Sequence, residues 1–402
     1  MEKKNILIIT TILPYPLNSG GAQAQFNMVN ELRKKHNIFM LFTEDQCNTL
    51  KNMRALQELW PDVTIIPYRL RWQLRHPVFI YNKAKRALQT YLTPRSQAFL
   101  VDKAIRSVCI YYSSHLKNFI NSVIEENRID IVQVEFVPAM RLVYDFPPDV
   151  KTIFIQHEIA FVKNKRYLQN FTLTDRQKNA YENSKKEEIR AMNAYDTIVT
   201  LTQADKDILI SEGVTSDIFV SPAAVNAIEH DYEEWNGRLT FVGSYNHIPN
   251  REGMAWVLEQ VAPYMAGEVE TLDIVGQGWD NVRGNAGLNT RTLGFVDDLH
   301  DAIGGTIMIV PILSGSGMRM KILEAAANSV PIVTTTVGVE GLDFEDGDSC
   351  LVADTPDAFA DAVKRLARDT ELRRKIGTRA HEVYEAKYTA KALADVRSKV
   401  YA

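Results

Sequence analysis

Strand-length runs of apolar residues recur along this chain, and longer stretches with helical spacing separate them. That alternation constrains the fold more than any other feature, because it calls for parallel sheets joined by helical crossovers. In the first half, strands are expected at 5–10, 38–42, 63–67, 129–134, 151–156 and 197–201. Ala22, Phe26, Val29 and Leu32 share one face of a helix between the first two. Near Ser221 the pattern resets into a polar stretch that contains Pro222 and reads as a linker. A second series follows, with strands at 239–243, 271–276, 290–293, 306–311 and 331–334 and helices near 250–261, 297–303 and 318–328. Residues 356–401 are helical in period almost throughout.

The expected architecture is therefore α/β, with two doubly wound Rossmann-like domains, 1–222 and 223–402, and a helical C-terminus. The last helix, about 388–402, is a candidate to pack back on the first domain. A chain of 402 residues agrees with two domains. In such sheets ligands bind beyond the carboxyl ends of the strands, and two facing domains form a cleft.

Composition excludes several classes. With 46% hydrophobic and 24% charged residues, the chain is neither fibrous nor disordered. The net charge of −4 hides a split. Residues 1–222 hold 29 Lys+Arg against 23 Asp+Glu, while the remainder holds 17 against 27. An evenly basic nucleic-acid binder is disfavoured on that ground. Cys47, Cys109 and Cys350 lack metal-type spacing and suit a reducing compartment. The opening MEKKNILIITTILPYPL imitates a secretory signal, but Pro14 and Pro16 interrupt it, so a buried first strand is expected.

Two loops carry candidate chemistry. After the first strand, Gly20 and Gly21 permit close backbone approach where a helix begins. A plain tight turn explains them equally well. The richer candidate is PILSGSGMRMKILEAAA at 311–327, in which a strand, a glycine loop and a helix follow one another. Arg319 and Lys321 are expected in the first helical turn, where cations oppose the macrodipole. An anionic ligand explains that placement, with Glu324 placed to accept from ribose hydroxyls. An exposed salt-bridged face formed by the same three residues is the alternative. Gly276-Gln277-Gly278 is only a fragment of a dinucleotide fingerprint.

These segments resemble glycosyltransferase family 4, retaining enzymes of two facing Rossmann-like domains, the GT-B architecture. The resemblance runs through FVGSYNHIPNREGMAWVLEQVAPYM from Phe241, LDIVGQG from Leu272, LGFVDDL from Leu293 and SGSGMRMKILEAAANSVPIVTTTVGVEGL from Ser314. It implies a nucleotide-sugar donor, such as a UDP- or GDP-sugar, in the second domain and an acceptor in the first. Glu324 matches the second glutamate of the family's E-x7-E motif. Ser316 stands where the first would fall, as in a subgroup with a Gly-Ser-Gly loop. The resemblance assigns donor contacts to Gly20, Gly21, Gly243, Val296, Ser316 and Gly317. It makes Arg319 and Lys321 diphosphate ligands and sets His157 near the reacting sugar, with Glu158 a weaker candidate. It further implies front-face transfer with retention, and no metal or other cofactor. Asp205-Lys206-Asp207 and Asp346-Gly347-Asp348 satisfy a metal-binding string but read as a helix start and a turn.

No acid lies between Asp62 and Asp102, while Arg69, Arg71, Arg75, Lys83, Lys85, Arg86 and Arg95 alternate with aromatic residues. Residues 68–99 are thus a candidate contact for an anionic membrane surface or a lipid-linked diphosphate, against a solvated face above an acceptor cleft. The expected activity is sugar transfer to a glycan or lipid-linked acceptor, in the cytoplasm or at the inner face of the membrane. A sugar-nucleotide epimerase of the same fold and a non-catalytic nucleotide- or glycan-binding protein are the alternatives.

Overall fold

The computed structural model describes residues 3–17, 20–44, 48–68, 101–102, 105, 112–169, 171–225, 232–265, 267–269, 271–284, 287–296, 298–315 and 317–402. Thirteen strands are named among them: β1 (Asn5–Thr10), β2 (Asn37–Thr43), β3 (Thr64–Tyr68), β4 (Ile131–Glu135), β5 (Lys151–Gln156), β6 (Thr197–Thr200) and β7 (Asp217–Val220) come first. Then follow β8 (Arg238–Val242), β9 (Thr271–Val275), β10 (Asn289–Gly294), β11 (Ile307–Val310), β12 (Ile332–Thr334) and β13 (Leu351–Val352). They form two parallel sheets, in the orders β3-β2-β1-β4-β5-β6-β7 and β10-β9-β8-β11-β12-β13.

Period-two alternation builds both cores. In the first sheet Leu7, Ile9, Val132, Val134 and Phe154 bury one face. Ile6, Ile8, Ile131, Ile153 and Ile155 bury the other. In the second sheet Leu239, Phe241, Leu272, Ile274, Ile307 and Ile309 oppose Val275, Met308, Val310 and Ile332 in the same way. Helices cover both faces, so the strands read as unbroken apolar runs.

Helices Pro356–Arg368 and Thr370–Lys387 pack on the second sheet through Phe359, Val363, Leu366 and Ile376. The final helix, Ala394–Val400, joins the first domain instead. Val400 and Tyr401 bury among Ile6, Ile8 and Ile38, and Arg397 donates to the Pro222 carbonyl at 3.0 Å.

Several boundaries differ from the sequence reading. β7 and β13 were not expected; each is short and partly exposed, so neither shows an apolar run. β4 begins and ends later than 129–134 and closes on Glu135. The helix expected at 318–328 spans Met320–Ala327. Arg319 therefore sits just before it, in a non-helical conformation, and Lys321 alone of the two cations lies in the first turn.

Candidate functional site

Each sheet reverses its winding once, between β1 and β4 in the first domain and between β8 and β11 in the second. Those switch points open crevices at the strand ends, and the two crevices face each other. A Cβ on Gly20 would stand 3.1 Å from Met320 Cγ at the start of the second-domain helix. One on Gly21 would stand 3.0 Å from the Phe136 ring. Gly317 has φ +79°, and a Cβ there would overlap the His157 carbonyl oxygen. The domains thus meet closely at Gly20 and Met320, and at backbone distance at Gly317 and His157.

The second-domain wall is made by the loop before helix Met320–Ala327. Arg319 is only 9% exposed, and its guanidinium donates to the Gly317 carbonyl, which folds the glycine loop around it. Burial lowers its pKa, and Glu340, Arg166 and Asp205 also act on it. Lys321 keeps part of its surface open, but its ammonium is enclosed by protein atoms, and that enclosure governs its titration. It donates to Asn250 Oδ1 at 2.7 Å and lies 4.3 Å from the Phe241 ring centroid. Burial, with Arg319 beside it, lowers its pKa to about 7. Burial likewise raises Glu324 to about 7. Among the described residues Lys321 and Glu324 do not pair with each other, and both are largely enclosed rather than forming an exposed face.

Asn250 is held in turn by Ser244, accepting its amide at the carbonyl at 2.9 Å. Gly243 leaves room for that side chain, since a Cβ there would overlap the Asn250 amide. The Gly243 carbonyl accepts from Trp279 Nε1 at 2.6 Å. The segment after β8 thus aims Lys321 through Asn250.

The first-domain wall centres on His157, directly after β5. Its Nε2 lies 2.5 Å from Glu135 Oε2, and its ring stacks on Phe136 with centroids 4.2 Å apart. Glu135 is fully buried at the end of β4. Glu158, the weaker candidate beside it, pairs with Lys163. Arg166, on helix Ala160–Leu168, crosses to the second domain and grips Glu340 with two bonds of 2.6 and 2.7 Å. It also donates to the Gly315 carbonyl. Glu188 caps that helix by accepting from the Ala160 and Phe161 amides at 2.8 and 2.9 Å.

Val296 is partly buried after β10, beside an exposed Phe295. Ser316 and residues 69–99 lie outside the described residues, as do Cys47 and Cys109, while Cys350 is buried. Asp205 sits inside helix Gln203–Ser211, and Asp348 pairs with Arg379 at 3.2 Å. No group of three His, Cys, Asp or Glu suited to a metal occurs among the described residues, and no described helix is long and apolar enough to cross a membrane. Asn250, Glu135, Arg166 and Glu188 are the site residues that the sequence reading missed.

Residues 236–369 match the family model "Glycosyl transferases group 1". A curated relative, an uncharacterized 44.6 kDa protein in the cps region of Klebsiella pneumoniae, is 26% identical over 170 residues. That alignment covers 39% of this chain and 44% of the relative. The lipopolysaccharide core biosynthesis glycosyltransferase LpsE of Rhizobium meliloti is 28% identical over 107 residues, covering 26% of this chain and 32% of LpsE. This chain therefore spans less than half the length of either relative in alignment. A mutant of TarM from S. aureus, solved in complex with fondaparinux, alpha-GlcNAc-glycerol and UDP, shares the fold end to end. Its TM-score is 0.69 at 12% identity, covering 99% of each chain. The match to the group 1 glycosyl transferases thus lies within the second domain, in a chain that has the fold of two Rossmann-like domains seen in TarM.

Proposed function

We propose that this protein is a retaining glycosyltransferase that moves a sugar from a nucleotide-diphosphate donor to a glycan or lipid-linked acceptor. Residues 223–402 would bind the donor and residues 1–222 the acceptor. One observation supports the reading: Lys321 and Glu324 are largely enclosed without pairing to each other beside the buried Arg319, in the loop and helix where Gly317 meets the His157 carbonyl. A nucleoside diphosphate offers an anion to Lys321 and a ribose diol to Glu324, with Arg319 beside the phosphates. Gly20, Gly21 and Gly317 let donor phosphate and sugar approach the backbone, and Val296 borders the base.

Negative charge develops on the departing diphosphate. Fixed cations and the amides at the start of helix Met320–Ala327 stabilise it without reorganising, which is the largest catalytic term in most group transfers. Front-face attack, with the departing phosphate taking the acceptor proton, gives retention without a protein nucleophile. His157 contacts the reacting sugar. These cations make a metal unnecessary in the reading, so chelation leaves transfer intact. The basic segment 68–99 is the proposed meeting point with a lipid-linked acceptor at the inner membrane face.

Incubation with a panel of sugar nucleotides and glycan or lipid-linked acceptors tests this. Sugar transfer or donor hydrolysis supports it, whereas an epimerised donor, or binding without turnover, replaces it.

A further inference from the structure

Behind His157 a line of side chains runs from the cleft through the first-domain core to the end of the chain. Glu135 Oε1 accepts from Gln133 Nε2 at 2.5 Å, and Gln133 Oε1 accepts from the Tyr401 hydroxyl at 2.6 Å. Glu135 and Gln133 are both fully buried, and Tyr401 is 3% exposed. Burial pushes the Tyr401 phenol well above its ordinary range, so it stays a donor.

Donor and acceptor order makes this arrangement directional. Tyr401 has one proton to give and fixes which end of the Gln133 amide faces it. The amide then turns its N–H toward Glu135. Glu135 thereby receives a bond on one oxygen and keeps the other for His157 Nε2–H. A neutral His157 so held carries its proton on Nε2 and leaves Nδ1 as an acceptor. The anchor at the far end is firm: Lys151 Nζ donates to the Val400 and Ala402 carbonyls at 3.2 and 2.9 Å.

We propose that Glu135 is the positioning residue for His157, fixing its ring orientation and tautomer, and that Tyr401 holds Glu135 in place through Gln133. The inference rests on the reading of His157 as a group at the reacting sugar. It adds that the last turn of the chain, which follows the second domain in sequence, sets the chemistry of the first.

The test reads the histidine itself. Full-length protein labelled with 15N-histidine reports the tautomer of each ring in two-bond 1H–15N spectra, and His157 is assigned by its loss in His157→Asn. The wild type is expected to show Nε2–H. Glu135→Gln mixes the tautomers and lowers kcat by about 100-fold, the scale of a misplaced contact in a catalytic site, with KM for the donor little changed. Tyr401→Phe, which keeps the buried ring and removes only the hydroxyl, gives a smaller change in the same direction, about 10-fold in kcat. An unchanged His157 signal in both variants overturns the positioning role. An altered signal with unchanged transfer rates upholds the positioning and removes His157 from the reaction.

Discussion

Lys321 and Glu324 both titrate near pH 7 in the free protein, pushed there from opposite sides by burial. A bound diphosphate reverses the shift on Lys321, because an anion within contact distance raises a cation's pKa by about 1–3 units. At pH 8 the free lysine is only ~10% protonated. Binding therefore takes up about 0.4 to 0.9 proton. Affinity falls as pH rises above 7, by about 5- to 50-fold between pH 7 and 9. Glu324 acts with the opposite sign. A ribose diol that donates to it favours the carboxylate, so affinity falls as pH drops below 7, and binding there releases protons. Calorimetry of UDP and GDP binding, in buffers of differing ionisation enthalpy at pH 6 and pH 8, counts those protons. The terminal phosphate of the ligand titrates near 6, so the acid limb is read as the difference between wild type and Glu324→Gln. Lys321→Met removes the alkaline limb. It also removes an enclosed ammonium, whose cost is fully present below pH 7 and fades as pH rises toward 10.5. The ligand-free Met variant is consequently more stable than wild type by ~1–3 kcal/mol at pH 6, discounted for the stranded Asn250 carbonyl. Heats independent of buffer at pH 8, or an identical pH profile in Lys321→Met, would refute the assignment of Lys321 to the diphosphate.

Other substitutions probe the frame of the cleft. Gly253→Ala drives a Cβ into the Pro311 carbonyl, where helix Ile248–Trp256 presses on the end of β11, and costs ~3 kcal/mol in urea unfolding. Gly317→Ala meets both a positive φ and the His157 carbonyl; it costs ~1–2 kcal/mol in stability and lowers donor turnover more than donor binding. Because Arg166 and Glu340 are 27% and 39% exposed, a double-mutant cycle with Arg166→Met and Glu340→Gln gives a coupling of only ~0.5–1 kcal/mol, weaker at high salt. A larger, salt-independent coupling would mean that the pair is shielded from water when the domains meet.

What the sequence reveals depends on how local the cause is. β1, β5, β8 and β11 stand out because both their faces are buried, which forces a continuous apolar run. β7 has no fully buried position, so nothing marks DIFV as a strand. Arg319 and Lys321 are conspicuous in sequence because they crowd a helix start. Their burial is not, since the covering atoms come from Asn250, Phe241 and the glycine loop. Glu135 is invisible for a related reason: a glutamate at a strand end looks like any solvent-facing acid. Its partners stand at position 157 and, through Gln133, at position 401. Arg166 and Glu340 meet from opposite domains.

Burial of Lys321 and Glu324 on one short helix face argues for the kind of ligand as well as the place. Charged groups in a folded interior are ordinarily paired, because an enclosed unpaired charge costs several kcal/mol. Here a cation and a carboxylate lie three residues apart on helix Met320–Ala327, in reach of a mutual bond that would relieve both, and that bond is not made. Lys321 is turned to the Asn250 amide and the Phe241 face instead. Loops after β8 and β11 therefore hold the two charges apart at a standing cost. A ligand with a single kind of polar group would satisfy one of them and leave the other stranded. A ligand with an anion at one end and a pair of hydroxyls a few ångströms away satisfies both at once, and a nucleoside diphosphate has that pattern. In the proposed function, the separation of the two side chains, more than the presence of either, is what favours such a ligand.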